Sequence, residues 1–299
     1  TMMGLAALTT PDALRLHPAL HQLAGAGITH LAIEASSHGL EQHRLDGMNV
    51  HIAGFTNLSR DHLDHHPDMD AYFAAKTRLF TDLLMPGGTA VINIDDAHGA
   101  RLAAQLRGDD SREIVVLTIG ETKGADFHIQ AITPMEFGLD ITVAHRHTVM
   151  RVPVALAGRF QAMNAMTAAV MAHASGLALH DSLGALAYVT GAEGRMQLIA
   201  GHPAGLRVII DYAHTPDALR AALVALRPEA GNRLAVLFGA GGDRDPGKRP
   251  MMGAAAAELA DLVFVTDDNP RSEAPDAIRR DIIAACPQAL SLIHISEPT

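Results

Sequence analysis

Three ionisable side chains stand where apolar runs end. Glu34 closes residues 29–33, His62 lies in the polar stretch 57–66 that follows residues 51–56, and Lys76 sits in the apolar pattern 72–77. A carboxylate supplies the oxygen donors that Mg2+ requires, whereas an imidazole is a less usual partner for that ion. A lysine of lowered pKa presents a free amine. Ser36, Gln42 and Arg44 follow Glu34 closely, and the planar fork of an arginine meets phosphate or carboxylate through two parallel bonds. Farther along, Asp211 and His214 come after the β-branched run 207–210, and residues 239–250 combine clustered glycines with Arg244, Lys248 and Arg249. Glycines after a strand allow close backbone approach to an anion. Apolar residues 262–265 lead into Asp267, Asp268, Asn269, Pro270 and Arg271. Each of these has an ordinary reading too. Thr9, Thr10 and Ser36 suit caps, His62 is one of 18 histidines, and Lys76 and Asn164 read as polar residues on helix surfaces.

The elements that would position these groups form an α/β pattern. Residues 28–80 read as strand, loop, strand, loop, helix, with Glu34 and His62 beyond the carboxyl ends of strands at 29–33 and 51–56, where open α/β sheets bind ligands. A helix is expected from Pro11 to about Leu23 behind a threonine cap. Strands follow at 87–96 and 113–119 around a helix at 98–106, and 126–156 alternates in short pieces that predict an antiparallel meander attached to the parallel sheet. A helix opens at Gly158 and reaches about Ser175. Residues 202–205 read as a linker. Beyond it, strands at 207–211, 234–238 and 262–266 and a helix at Thr215-Pro216 make a second α/β unit of Rossmann-like type. The expected division is 1–200, 201–290 and a non-native tail at 291–299.

Composition narrows the function classes. The chain has 299 residues, enough for two domains with sizeable cores. It is 48% hydrophobic and 19% charged, as folded proteins are. A net charge of -10 argues against nucleic acid as the main partner, because phosphate contacts need a basic surface. One cysteine, Cys286, excludes an internal disulfide and fits a reducing compartment. No apolar run reaches the roughly 20 residues of a membrane span, and no signal peptide is evident at the start. The expectation is a cytoplasmic α/β enzyme without a membrane partner.

Residues 34–44 (Glu-Ala-Ser-Ser-His-Gly-Leu-x-Gln-His-Arg), 56–64 (Thr-Asn-Leu-x-Arg-Asp-His-Leu-Asp) and Ala75-Lys76 resemble the central domain of the Mur ligases, ATP-dependent amide-bond-forming enzymes of bacterial cell-wall synthesis. Gly158-Arg159 with Asn164, Gly194-Arg195-Met196, Asp211-Tyr212-Ala213-His214-x-Pro216 and Asp268-Asn269-Pro270-Arg271 carry the resemblance to about residue 285. It implies an ATPase-type central domain followed by a truncated C-terminal domain. It implies that Glu34, His62 and Lys76, the last as a carbamate, organise Mg2+. Thr9, Thr10, Ser36, Gln42 and Arg44 then correspond to contacts with the UDP-sugar-peptide. Asn164, Asp211 and His214 correspond to contacts with ATP, and Arg244, Asp268, Asn269, Pro270 and Arg271 to contacts with the incoming amino acid. Gln161 stands where the family has asparagine.

Within the family, Asp-Asn-Pro-Arg marks the branch that adds meso-diaminopimelate to UDP-N-acetylmuramoyl-L-Ala-D-Glu. The physics agrees, since diaminopimelate differs from lysine by a second carboxylate that an arginine fork can bind. The implied protein is a cytoplasmic monomer working through an acyl-phosphate. No G-x-x-x-x-G-K-[ST] phosphate loop and no later Gly-x-Gly-His-Glu segment occur in these residues. The expectation is therefore a piece of a longer enzyme, inactive alone. Two alternatives stay open: another Mur-like amide ligase (lysine-adding, cyanophycin or folylpolyglutamate type) and a non-catalytic remnant.

Overall fold

The computed structural model describes residues 9–135, 138–156, 158–189, 191–199 and 206–292. Its first part is built on a six-stranded sheet in sequential order: β1 (Val50–Phe55), β2 (Leu84–Asn93), β3 (Val115–Gly120), β4 (Phe127–Met135), β5 (Gly138–His145) and β6 (Thr148–Val154). The first four strands run parallel, while β4 to β6 form the antiparallel meander. Helices α1 (Ala13–Gly25), α2 (Ser37–Glu41), α3 (Met69–Arg78), α4 (Ala97–Arg107), α5 (Arg159–Ala174) and α6 (Leu179–Gly184) accompany it.

Successive strand residues face opposite sides of a sheet, and β2 shows the consequence. Ala90 and Ile92 pack with Tyr72 and Phe73 of α3 and Leu102 and Leu106 of α4. Val91 between them packs with Ala162, Met166 and Val170 of α5. Covered on both faces, the parallel strands read as near-continuous apolar runs.

The second part holds the pair β7 (Gln197–Ile199) and β8 (Val208–Ile210), then a parallel sheet of β9 (Ala235–Phe238), β10 (Leu262–Val265) and β11 (Leu290–Ser291) in the order β11-β10-β9. Helices α7 (Pro216–Leu226), α8 (Lys248–Leu259) and α9 (Pro275–Ile283) pack against it through Leu219, Leu223, Met252, Ile278 and Ile282. Pro216 opens α7 behind a Thr215 cap that accepts from the Ala218 amide at 3.2 Å, as proline at a first helical position leads one to expect. The expected linker at 202–205 and most of the expected tail lie outside the described residues, although Leu290 and Ser291 pair with β10. No described helix is long and apolar enough to cross a membrane.

Two local expectations are corrected. Residues 29–36 form no strand, and Ile28, Leu31 and Ile33 remain 48%, 50% and 37% exposed. An apolar run becomes a strand only when its backbone pairs with a neighbouring strand. Among the described residues the ladder stops at β1. In addition, α1 is capped by Asp12, whose carboxylate accepts from the Arg15 amide at 3.1 Å, and not by a threonine.

Candidate functional site

Thr10 is fully buried and organises the loop after residue 33. Its Oγ1 donates to the Glu34 carbonyl at 2.8 Å and accepts from the Ser36 amide at 2.9 Å. Ser36 also hydrogen-bonds Thr10 Oγ1 at 3.0 Å and caps α2, accepting from the Gly39 amide at 3.1 Å. The Arg44 Nη1 donates to the Thr10 carbonyl at 2.8 Å, while its Nε donates to Gln42 Oε1 at 3.0 Å. Thr10, Ser36, Gln42 and Arg44 thus form one connected group, with Thr9 exposed beside it. The cap read for Ser36 from the sequence is present, whereas its place in the Thr10 network was not visible in the spacing.

Lys76 rides on α3, whose start is fixed by Asp68 accepting from the Ala71 amide at 2.8 Å. Its Nζ lies 5.3 Å from the Tyr72 ring centroid. Burial pushes the Lys76 amine below its ordinary range against the opposing charges of Glu34 and Asp61. Burial likewise lowers His62, opposed by Asp61 and Asp64 and aided by Lys76 and Arg244. Tyr72 is pushed up to about 12, by burial first and then by Asp61. Glu34, His62 and Lys76 therefore share one electrostatic neighbourhood. His62 adopts φ 57°, in the left-handed region where non-glycine residues concentrate at functional loops.

Asp61 joins this neighbourhood to the second part of the chain. His214 Nε2 lies 3.1 Å from Asp61 Oδ2, Lys248 Nζ lies 3.8 Å from Oδ1, and His62 Nε2 is 3.7 Å from Oδ2. Burial alone would raise the Asp61 carboxyl. The His214 hydrogen bond and the charges of His62 and Lys248 outweigh it and hold the group well below the usual carboxylate range.

His214 also places Nδ1 3.0 Å from the Tyr212 carbonyl. Both ring nitrogens therefore face acceptors, a demand only the doubly protonated ring meets. Its pKa is raised accordingly, first by the bond to Asp61 against desolvation. Two more pairs reinforce the seam: Arg60 Nε to Asp245 Oδ2 at 2.9 Å and Arg244 Nη1 to Asp64 Oδ2 at 2.6 Å. Asp61, Asp64, Asp245 and Lys248 were visible within motifs, but nothing in the spacing pairs them across 150 residues or more.

The remaining expected residues are placed as follows. Asp211 accepts from the Met196 amide and the Ala213 amide, both at 2.9 Å, tying the loop before α7 to the end of the first part. Asn164 is exposed on α5. The glycine-rich loop after β9 does not stand open as an anion cradle; it lies flush on residues 266–273. A Cβ on Gly239 would meet the Thr266 carbonyl at 2.6 Å, and one on Gly242 the Pro270 carbonyl at 1.9 Å.

The Gly242 amide donates to the Asn269 carbonyl at 2.9 Å, and Arg271 Nη1 donates to the Gly242 carbonyl. Asn269 Oδ1 accepts from the Arg271 amide at 3.3 Å. Arg271 has φ 49°, and Asp268, Asn269 and Arg271 are exposed. Arg244 is engaged with Asp64 and not with this loop.

Residues 1–172 match the family described as the Mur ligase middle domain, and residues 194–298 match the Mur ligase glutamate ligase domain. The UDP-N-acetylmuramoyl-L-alanyl-D-glutamate--2,6-diaminopimelate ligase of Bradyrhizobium diazoefficiens is 48% identical over 277 residues, covering 93% of this chain and 57% of that protein. The protein of the same name from Caulobacter vibrioides is 47% identical over 283 residues, covering 94% and 57%. The chain thus spans less than two thirds of the length of these curated relatives. A solved structure of a ligase of that name superposes with a TM-score of 0.66 at 38% identity, covering 94% of this chain and 57% of that one. The folylpolyglutamate synthase of Mycobacterium tuberculosis, at 22% identity and a TM-score of 0.66 over 82% of this chain and 54% of its own, shares the fold.

Proposed function

The chain belongs to the Mur ligase family, and we propose that it is part of an ATP-dependent ligase joining meso-diaminopimelate to UDP-N-acetylmuramoyl-L-Ala-D-Glu in the cytoplasm. The observation that carries this reading is the Asp61 junction. Asp61 bonds His214 and also bears on the charges of His62 and Lys76, which supports reading the groups proposed for the ion and for the nucleotide as parts of one site.

The residues present fit a magnesium ion. Burial lowers the Lys76 amine against the charge of Glu34, a direction that favours uptake of CO2 as a carbamate, which would add carboxylate oxygens to an otherwise oxygen-poor set. Glu34, His62 and carbamylated Lys76 would hold the ion, which when bound would offset charge on the transferred phosphoryl group. Thr10, Ser36, Gln42 and Arg44, with Thr9 beside them, hold the UDP-sugar-peptide. Asn164, Asp211 and His214 bind ATP, and the cation at His214 faces phosphate charge. The γ-carboxylate of the terminal D-glutamate is phosphorylated, the amine of diaminopimelate attacks that carbonyl, and phosphate departs.

Asp268, Asn269, Pro270 and Arg271, together with Arg244, select the amine substrate. The arginine fork of Arg271 takes the second carboxylate once it leaves the Gly242 carbonyl. A ligation assay on the complete gene product, offering meso-diaminopimelate and L-lysine separately with UDP-dipeptide, ATP and Mg2+, tests this. Preference for diaminopimelate that Arg271→Ala abolishes is the expected result. Equal use of lysine overturns the specificity assignment, and turnover of neither moves the chain to another amide ligase of the same fold.

A further inference from the structure

Beside the proposed magnesium set, at the other side of His38, lies a group of different chemistry. Glu41 ends α2, and His65 and His66 close the turn that begins at His62, with the His66 amide donating to the His62 carbonyl at 2.9 Å. One ligand atom from each of Glu41, His65 and His66 falls within 4.8 Å of the other two. The two imidazoles stand nearly perpendicular, 85° apart with centroids at 4.8 Å.

His66 is the informative member. Its side chain is fully buried, yet neither ring nitrogen has a hydrogen-bond partner in the protein. Its Nδ1 points at Glu41 Oε2 from 3.8 Å, too far for a hydrogen bond. A buried polar group without a partner is destabilising, so its retention needs an explanation.

We propose that Glu41, His65 and His66 bind a borderline divalent transition-metal ion of the Zn2+ class, at a site separate from Glu34, His62 and Lys76. Two imidazoles and a carboxylate are the donors such ions select, whereas Mg2+ prefers oxygen throughout. Zn–N bonds of about 2.1 Å set tetrahedral ligands about 3.4 Å apart, close to the 3.8 Å between His66 Nδ1 and Glu41 Oε2. The rings are already held for this: His38 stacks on His65 at 3.9 Å, and Tyr72 stacks on His66 at 5.1 Å and 18°. Glu41 and His65 keep 48% and 30% side-chain exposure, which leaves a way in for the ion and room for water as a fourth ligand. His65 and Glu41 already hydrogen-bond one another. The ion replaces that shared proton and gives His66 Nδ1 its partner.

The test is calorimetric titration of the 299-residue chain with ZnCl2 in the presence of excess MgCl2, followed by Co2+ absorption spectra. One equivalent of Zn2+ is expected to bind. Glu41→Gln and His65→Ala, at partly exposed positions, should each weaken binding at least about tenfold while leaving the metal-free melting temperature in place. His62→Ala should leave the affinity unchanged, and His65→Ala should abolish the tetrahedral Co2+ bands. Absence of saturable binding, equal affinity in the Glu41 and His65 variants, or a loss confined to His62→Ala would each overturn the proposal.

Discussion

At the scale of single residues, the central group is the Lys76 amine. A lysine is costly to bury charged, and Lys76, carried on α3 with its amine 5.3 Å from the Tyr72 ring centroid, bears that cost. Burial depresses its folded-state pKa. The unfolded state therefore holds more protons between the two values, and this residue's penalty on stability eases as pH rises through that window. Two outcomes follow. Incubation with 13C-bicarbonate should give a carbamate carbon resonance that disappears in Lys76→Arg; a signal that persists in the variant, or none in the wild type, contradicts the assignment. Lys76→Met should raise stability at pH 7 by on the order of 1 kcal/mol, with the gain shrinking at high pH. Thermal melts across pH measure this, and a pH-independent effect would speak against a buried amine.

At the scale of elements, loops are held in place by close backbone approach and by caps. Gly242 lies where a Cβ would sit 1.9 Å from the Pro270 carbonyl, so Gly242→Ala must push residues 266–273 away from β9. Overpacking of this kind costs about 1–3 kcal/mol. Urea unfolding of the chain should show that loss, and a change within about 0.5 kcal/mol would mean the loop yields freely. In the complete gene product the same substitution should raise the KM for the amine substrate more than that for ATP.

Much at this scale was legible in the sequence. The meander at 127–154 and the Thr215-Pro216 helix start follow from alternation and capping rules applied to residues whose partners are near in sequence. The strand expected at 29–33 failed because an apolar run does not report whether the segment pairs with a neighbouring strand. The threonine cap of α1 failed because Asp12, two residues nearer the helix than Thr10, offers a better acceptor.

At the scale of the molecule, the site is a seam. Stretch 57–66 carries Arg60, Asp61 and Asp64, and each reaches a residue of the second part, at Asp245, at His214 and Lys248, and at Arg244. These pairs were not legible, since partners 150 or more positions apart leave no periodic trace. The signs of their titration are opposite. His214 is raised, so its contribution is full below its ordinary value of 6.5 and is lost as pH climbs through the folded value. Asp61 is depressed, so its contribution is full above 3.8 and is lost as pH falls toward its folded value. Between those limits the pair should add about 1 kcal/mol, reduced from the value of a buried charged hydrogen bond because His214 is 49% exposed. The melting-temperature difference between wild type and Asp61→Asn should therefore be flat near pH 6 and should shrink at higher pH.

The most direct measurement of the junction is the His214 titration itself, followed by NMR of the histidine ring protons in the wild-type chain and in Asp61→Asn. If the two parts meet at Asp61, the wild-type resonance titrates above 6.5 and the variant's falls to or below it. A His214 that titrates identically in both chains would mean that the seam does not form, and the groups proposed to hold the ion and the nucleotide could not then be one site.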